Sequence, residues 1–169
     1  GWLAAEEIDG LVSNLEEHYT TTDIEVTAIA SQPAIKRSLE LYKLDMRWEA
    51  KSEWVWATRN FDDKQLLAAA EYAMRQKWYD IAIITADNTK QVHDFNLRYP
   101  TPYRDLMRSS ASDENLDEAW VYGLTRQESR FMHYAKSGVG ASGLMQLMPA
   151  TAKWAAQKMG LNYSHDKIH

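Results

Sequence analysis

Glu128 is the residue whose type and position in this sequence are best suited to chemistry. It lies near the end of a predicted helix, within the segment "GLTRQESRFMHYAKSGVGASGLMQLMP" that runs from Gly123 to Pro149. At about 100° per residue, the glutamate projects onto the arc that carries the apolar side chains of the helix, which are Trp120, Val121, Leu124, Phe131 and Met132. The pattern predicts that Glu128 lies on the buried face.

Two interpretations of a glutamate at that position are open. A boundary glutamate packs its aliphatic stem on the core and extends its carboxylate to water or to an arginine. A glutamate in a desolvated cleft has a raised pKa, because burial disfavours the charged form, and it can donate a proton near neutral pH. The second interpretation makes Glu128 a candidate general acid.

The loop after Glu128 is rich in glycine and methionine. Gly138, Gly140 and Gly143 fall within six positions and allow backbone conformations that other residues avoid, so a ligand can approach the main chain closely. Met145 and Gln146 then offer an amide beside soft apolar surface, which suits a sugar that carries acetamido groups. Taken alone, the glycines are equally typical of an ordinary turn and the methionines of a core.

The segments before this loop have helical patterns. Apolar residues from Leu3 to Leu15 have helical spacing, whereas "DIEVTAIA", which begins at Asp23, is ambiguous between helix and strand. One long helical segment starts at Pro33 and breaks near Asp45. A second follows from the acidic start "DDKQLL". These patterns predict a series of paired helices.

An aromatic interval supports a repeated arrangement of those helices. Tyr42 and Trp48 recur as Tyr72 and Trp78, with the same six-residue interval at an offset of 30. Stacked helix pairs form solenoids at periods of this size, although chance recurrence is the alternative. The two prolines of Tyr99–Tyr103, "YPTPY", cannot continue a helix and predict a boundary or linker.

Composition and charge exclude several classes of partner. The chain has 169 residues, is 45% apolar, and carries a net charge of −5 with 19 basic residues scattered among 24 acidic ones. A nucleic-acid or anionic-membrane binder needs clustered basic residues, so neither partner is predicted. The absence of cysteine excludes disulfides and thiolate metal sites. No apolar run is long enough for a membrane span. The histidines form no helical ligand pair, so we predict no metal site, and we also predict no cofactor.

Two motifs carry a resemblance to a known family. "RQES", Arg126–Ser129, followed by "GVGASGLMQLMP", Gly138–Pro149, resembles the lysozyme-like catalytic domain of soluble lytic transglycosylases. The "RYPTPYRDL" run and the helices before it resemble more loosely the α-superhelical region that precedes that domain. The resemblance implies an all-α fold, with solenoid-like helical hairpins in residues 1–104 and a catalytic domain in residues 105–169.

The resemblance also implies roles for particular residues. Glu128 matches the family's single catalytic acid and base, and Ser129 is expected to help orient the site. The sugar cleft is expected to be lined by the Gly-Leu-Met-Gln motif, which here is Gly143, Leu144, Met145 and Gln146. The implied enzyme is a lyase that cleaves peptidoglycan between N-acetylmuramic acid and N-acetylglucosamine and leaves 1,6-anhydromuramic acid ends.

The spacing of acidic residues agrees with a mechanism that uses one carboxylate. Ordinary glycosidases need two carboxyl groups roughly 5 to 9.5 Å apart. Asp117 and Glu118 precede Glu128 by ten or eleven residues on the predicted helix, which places them about 15 Å or more away. The family's chemistry uses the acetamido oxygen of the substrate in place of a second acid.

One departure from the family concerns the end of the sequence. The family's domain continues with further helices and an Ala-Tyr-Asn motif, and nothing after Pro149 matches that motif, since Asn162 and Tyr163 occur in the reverse order. We therefore expect the catalytic domain to be incomplete here and the activity of this chain alone to be in doubt.

Two other functions stay open on sequence grounds. A lysozyme-type hydrolase would use the same fold and glutamate but admit water, and a helical scaffold would bind partner proteins without using Glu128. Peptidoglycan strands are the expected partner, with other cell-wall proteins as further candidates. The substrate and the family imply the periplasm, although the start "GWLAAEEIDG" lacks the pattern of a signal peptide.

Overall fold

The computed structural model describes residues 17–164, and this part of the chain is mostly helical. Two short strands, β1 (Glu17–His18) and β2 (Val92–His93), pair in parallel. The helices are α1 (Asp23–Ser31), α2 (Pro33–Lys43), α3 (Arg47–Thr58), α4 (Asp63–Arg75), α5 (Tyr79–Asp87), α6 (Phe95–Arg98), α7 (Arg104–Asp113), α8 (Glu118–Ser129) and α9 (Pro149–Lys158). The predicted all-α class is confirmed, and the helix predicted from Leu3 to Leu15 lies outside the described residues.

Two compact units divide the chain between Arg98 and Tyr99. The sequence placed the boundary slightly later, after residue 104, on the basis of the prolines in "YPTPY". The helical pairs belong to the first unit, and Glu128 with its glycine-rich loop belongs to the second.

The ambiguous segment from Asp23 is a helix because its first turn is fully capped. The Thr22 hydroxyl oxygen accepts from the backbone N–H of Glu25, and the Glu25 carboxylate accepts from the backbone N–H and the hydroxyl of Thr22 at 2.8 and 2.7 Å. The Tyr19 hydroxyl donates to the same carboxylate at 2.6 Å. This capping box gives hydrogen-bond acceptors to the backbone N–H groups of Thr22 and Glu25, which in a strand would need acceptors on a neighbouring strand.

Helices α2 to α5 form two successive hairpins. The predicted break near Asp45 is confirmed, since α2 ends at Lys43, Asp45 has φ 61° and α3 begins at Arg47. The second hairpin breaks in the same way at Lys77, with φ 58°. The core between the hairpins contains aliphatic, alanine and tryptophan side chains, which are Ile35, Ala50, Trp54, Ala68, Ala69, Ala73, Trp78, Ile81 and Ala82.

The register of this repeat differs from the one that the aromatic interval indicated. The two breaks lie at residues 45 and 77, an offset of 32 residues, and the residues before α3 and α5, Met46 and Trp78, have nearly the same backbone angles. Trp78 is 2% exposed, whereas Trp48 is 82% exposed. The equivalence of Trp48 and Trp78 was therefore wrong, because the two tryptophans occupy different positions in their hairpins.

Asp63 connects the start of α4 to the segment that leads into β2. Its carboxylate accepts from three consecutive backbone N–H groups, those of Lys90, Gln91 and Val92, at 3.1, 2.8 and 3.0 Å. Burial tends to raise the pKa of this carboxyl, but the three hydrogen bonds outweigh it and the pKa lies below its usual value. A short non-helical segment is thereby fixed to the helical core.

The second unit contains α7, α8, α9 and the loop between α8 and α9. α8 packs against α7 and contacts the proline-rich run through Tyr122, whose hydroxyl donates to the carbonyl oxygen of Pro102 at 3.0 Å. Burial raises the pKa of Tyr122. The helix that carries Glu128 is thus fixed to the residues that begin its unit.

Candidate active site

The helix that carries Glu128 has defined signals at both ends. The Asp117 carboxylate accepts from the backbone N–H of Ala119 at 2.8 Å and caps the first turn. The helix was predicted to run to about Arg130, and it ends at Ser129 with Arg130 in the left-handed conformation at φ 49°. Glu128 therefore lies in the last turn of α8, next to a sharp reversal of the chain.

The reversal is maintained by the packing of Phe131. This residue also has a left-handed backbone, at φ 64°, and its side chain is almost fully buried. Its ring meets the ring of Tyr122 edge-on, with centroids 6.0 Å apart. Two successive left-handed residues that are not glycine are unfavourable, and the buried aromatic pair contributes packing energy that offsets this strain.

The face of α8 that is buried is not the one predicted. Glu128 is exposed and Trp120 is 62% exposed, whereas Tyr122, Thr125 and Ser129 are buried. The Thr125 and Ser129 hydroxyls donate to the carbonyl oxygens four residues earlier, at 2.9 and 3.3 Å, so these side chains can be buried without unpaired groups. The prediction was wrong because it weighted only apolar residues, and short hydroxyl side chains form the inward stripe.

Glu128 has an accessible carboxylate. Within residues 17–164 it makes no hydrogen bond and no ion pair. The neighbouring Arg126 guanidinium lies over the Tyr99 ring, 4.8 Å from its centroid. The Glu128 carboxylate is consequently available to a ligand.

The loop between α8 and α9 folds into a compact double turn. Gly143 donates its N–H to the carbonyl oxygen of Ala135 at 2.9 Å, and Ser142 and Leu147 exchange a pair of backbone hydrogen bonds at 3.1 Å. Gly143 requires its glycine, since φ is 77°. Gly140 is also left-handed, at φ 95°, which agrees with the prediction that glycines enable unusual backbone conformations here.

The side-chain amide of Gln146 is part of this turn. Its Nε2 donates to the carbonyl oxygens of Ala135 and Gly143 at 3.1 and 2.9 Å, and its own backbone is left-handed at φ 47°. The sequence suggested that both the donor and the acceptor of the amide face a sugar. The structure assigns the donor to the loop itself, which leaves the Oε1 atom as the part available to a ligand.

The loop and α8 meet at Met145 and Thr125. The Thr125 hydroxyl oxygen lies 3.0 Å from the Met145 sulfur, and Thr125 is completely buried. Leu144 and Met145 are each partly exposed, and Ser129, which the sequence placed in the site, directs its hydroxyl to the Thr125 carbonyl oxygen. The structure therefore brings the "RQES" helix end and the "GLMQ" turn together in one unit.

Thr125 and Tyr122 are the two residues of this arrangement that the sequence analysis missed. A signal for Thr125 was present, since Thr125 and Ser129 are four residues apart and so share a helix face. No comparable signal was present for the hydrogen bond between Tyr122 and Pro102, because the two residues are 20 positions apart.

Neither a metal site nor a membrane helix is found in the part of the chain that the structure describes. Among residues 17–164, no three histidine, aspartate or glutamate side chains are grouped so that they could hold a metal ion. None of the helices in that range combines the length and the apolar character that crossing a membrane requires.

Comparison with protein families gives two matches that together cover most of the chain. The model of the "Soluble lytic murein transglycosylase L domain" matches residues 28–94. The model of the "Transglycosylase SLT domain" matches residues 105–168.

Sequence relatives carry the same name. The soluble lytic murein transglycosylase of Escherichia coli K12 is 31% identical over 126 residues, which are 75% of this chain and 20% of that protein. A putative soluble lytic murein transglycosylase of Haemophilus influenzae is 31% identical over 128 residues, 76% of this chain and 22% of the relative. The chain thus spans about one fifth of the length of these relatives.

Solved structures of lytic transglycosylases are similar to this chain. An inactive glutamate-to-glutamine mutant of the lytic transglycosylase Slt from Pseudomonas aeruginosa has a TM-score of 0.75 and 32% identity, covering 97% of this chain and 27% of that one. The 70-kDa soluble lytic transglycosylase of Escherichia coli has a TM-score of 0.73 and 26% identity, covering 98% and 27%.

Proposed function

The chain belongs to the soluble lytic transglycosylase family, and on that premise we propose that it contributes to the cleavage of peptidoglycan by lytic transglycosylation. The bond cleaved is the β-1,4 linkage between N-acetylmuramic acid and N-acetylglucosamine, and the product carries a 1,6-anhydromuramic acid end. The observation that carries the proposal is the meeting of the Glu128 helix end with the Gly143–Gln146 turn, through Thr125 and Met145.

Glu128 performs both proton transfers in the proposed reaction. As an acid it protonates the glycosidic oxygen that leaves, while the acetamido oxygen of the muramic acid residue attacks the anomeric carbon. As a carboxylate it then removes the proton of the C6 hydroxyl, whose oxygen attacks the anomeric carbon and displaces the acetamido oxygen. The carboxylate is protonated again at the end of the cycle, and no water is consumed.

The exposure of Glu128 is compatible with this role. A glycan strand laid over α8 would cover the exposed carboxylate and remove water from it on binding. A solved relative that is inactive after one glutamate-to-glutamine substitution supports a mechanism that requires a glutamate carboxyl group.

The other predicted site residues have narrower proposed roles. Leu144 and Met145 contribute partly exposed apolar surface to the sugar, and Oε1 of Gln146 accepts a hydrogen bond from an acetamido or hydroxyl group. Gly143 permits the turn that presents them. Ser129 acts through the end of α8, since its hydroxyl is buried and bound to the Thr125 carbonyl oxygen.

The remaining parts of the proposal concern organisation and place. We propose that residues 1–104 form an α-superhelical region and residues 105–169 part of the catalytic domain. Peptidoglycan is the substrate and the periplasm the compartment where the reaction occurs. Other cell-wall proteins are candidate partners.

Analysis of the muropeptides that the chain releases from purified peptidoglycan tests the proposal. We expect products that end in 1,6-anhydromuramic acid, which are lighter by one water than the hydrolytic products when separated and weighed by mass spectrometry. Reducing ends would contradict the proposal and indicate a lysozyme-type hydrolase. Intact peptidoglycan after prolonged incubation would contradict catalysis by these 169 residues alone.

A further inference from the structure

The contact between Thr125 and Met145 joins the residue just before the "RQES" motif to the "GLMQ" motif of the candidate site. Thr125 lies one helical turn before Ser129 on α8, and Met145 lies within the turn that Gln146 closes. The hydroxyl oxygen of Thr125 is 2.9 Å from the carbonyl oxygen of Val121 and 3.0 Å from the sulfur of Met145. We infer that Thr125 is a positioning residue that holds the Gly143–Gln146 turn against the Glu128 end of α8.

The chemistry of the contact suits a threonine hydroxyl. A hydroxyl group has one proton to share between two acceptors, and a thioether sulfur accepts weakly and is polarisable. Because an apolar carbon contact requires about 3.5 to 4.0 Å, a methyl group in place of the hydroxyl would stand too close to the sulfur. The hydroxyl therefore allows Met145 to approach α8 more closely than a methyl group would.

The position of Met145 determines the position of the rest of the turn. Gln146 follows it directly and ties the turn to Ala135 and Gly143 through its side-chain amide. The turn is therefore closed on itself by Gln146 and attached to α8 by Met145. A displacement of Met145 would move Gly143–Gln146 as one piece relative to Glu128.

The Thr125 carbonyl group adds a second connection towards Glu128. It accepts from the Ser129 hydroxyl at 3.3 Å, so the residue that contacts the loop also bonds the residue beside Glu128. The Ser129 connection is buried, and the Met145 connection is partly buried, since Thr125 and Ser129 are excluded from solvent and Met145 is partly exposed. The inference rests on the proposed function for its catalytic consequence, whereas its structural part can be measured independently.

Two substitutions of Thr125 separate the contribution of the hydroxyl from that of the methyl group. Thr125→Val keeps the shape, removes the proton and places a methyl group against the Met145 sulfur, whereas Thr125→Ser retains the hydroxyl. Thr151→Val, at an exposed position of α9, is the matched control. Met145→Leu removes the sulfur from the other side of the contact.

Amide hydrogen exchange measured by NMR tests the structural part of the inference. In Thr125→Val we expect the amides of Gly143 and Leu147 to exchange about fivefold faster, as the loss of one modest hydrogen bond implies. Exchange within α9 should not change. Thr125→Ser and Thr151→Val should behave as the wild type, and Met145→Leu combined with Thr125→Val should add little to either alone. Unchanged exchange in Thr125→Val, or equal damage in Thr125→Ser, would overturn the inference.

Steady-state kinetics on peptidoglycan tests the catalytic part of the inference. We expect about a tenfold lower kcat in Thr125→Val with KM changed less than about twofold, and recovery in Thr125→Ser, because misplacement of the turn by a fraction of an ångström affects the reacting geometry. A wild-type kcat in a Thr125→Val variant with altered exchange would overturn the positioning role. If the wild-type chain releases no products, the proposed function fails, and the exchange rates still decide the attachment of the turn.

Discussion

Tyr42 stacks on Trp78, with ring centroids 4.3 Å apart and ring planes 18° from parallel. The edge of Trp78 meets Trp54 at 5.5 Å. The end of α2, the middle of α3 and the turn before α5 therefore share one aromatic cluster. This cluster is part of the core between the two hairpins, and the exposed Trp48 is not part of that core.

A substitution of Lys77 tests whether the left-handed turn between α4 and α5 is strained. Its left-handed backbone, at φ 58°, is unfavourable for any residue with a Cβ atom. Lys77→Gly should therefore raise the free energy of unfolding by about 0.5 kcal/mol, after allowance for the greater freedom of glycine in the unfolded chain. Urea denaturation followed by tryptophan fluorescence measures the change. Lys36→Gly, at an exposed position inside α2, should instead cost about 1 kcal/mol, and a loss of stability in Lys77→Gly would contradict the expectation.

The lowered pKa of Glu25 predicts that the stability of the protein depends on pH. The hydrogen bond from Tyr19, followed by those from the backbone and hydroxyl of Thr22, lowers the pKa of Glu25 to about 2 from its usual 4.5. A lowered folded-state pKa gives stability that is fully present above about pH 4.5 and is lost as the pH falls towards 2. Glu25→Gln should therefore be less stable than the wild type at pH 6, and the difference should disappear near pH 2.

Urea midpoints at several pH values measure the Glu25 effect. Glu49→Gln supplies the control, since Glu49 is exposed on α3 and makes no hydrogen bond or ion pair within residues 17–164. A constant difference between Glu25→Gln and the wild type from pH 6 to pH 2 would show that the carboxylate is not the source of the stability.

Glu128→Gln should abolish product release without loss of stability. The side chain is exposed and makes no hydrogen bond or ion pair within residues 17–164, so its replacement should change the free energy of unfolding by less than about 0.5 kcal/mol. Glu118→Gln, at the start of the same helix, is the control for activity and should retain it, although it loses the hydrogen bond from Arg108. Muropeptide release and thermal unfolding are the two measurements. Substantial cleavage by the Glu128→Gln protein would remove this residue from the mechanism.

Gln146→Ala should destabilise the second unit. It removes two hydrogen bonds, to the carbonyl oxygens of Ala135 and Gly143, and should cost about 1 to 2 kcal/mol. Gln157→Ala, at an exposed position of α9, should cost almost nothing. Chemical denaturation of both variants decides the matter. Sugar binding that weakens while stability stays unchanged would favour a ligand-binding role for the amide over the structural role seen here.

The sequence predicted the features of this fold that depend on local signals. The break at Asp45, the start at Pro33 and the end of α8 near Arg130 follow from proline, capping and helical periodicity, which act within a few residues. The exposed position of Glu128 could not be predicted in this way. It depends on the burial of the Thr125 and Ser129 hydroxyls, which donate hydrogen bonds to carbonyl oxygens of their own helix. The role of the Gln146 amide was equally hidden, because its acceptor at Ala135 is 11 residues away across a loop.

The Asp63 carboxylate gives the segment Lys90–Val92 an unusual character. Three successive N–H groups that converge on one point form the kind of concavity that binds phosphate or sulfate in other proteins. Here the anion is part of the chain and is brought by the first turn of α4. The segment is therefore an anion site whose anion is the Asp63 carboxylate, which an added phosphate or sulfate would have to displace in order to bind.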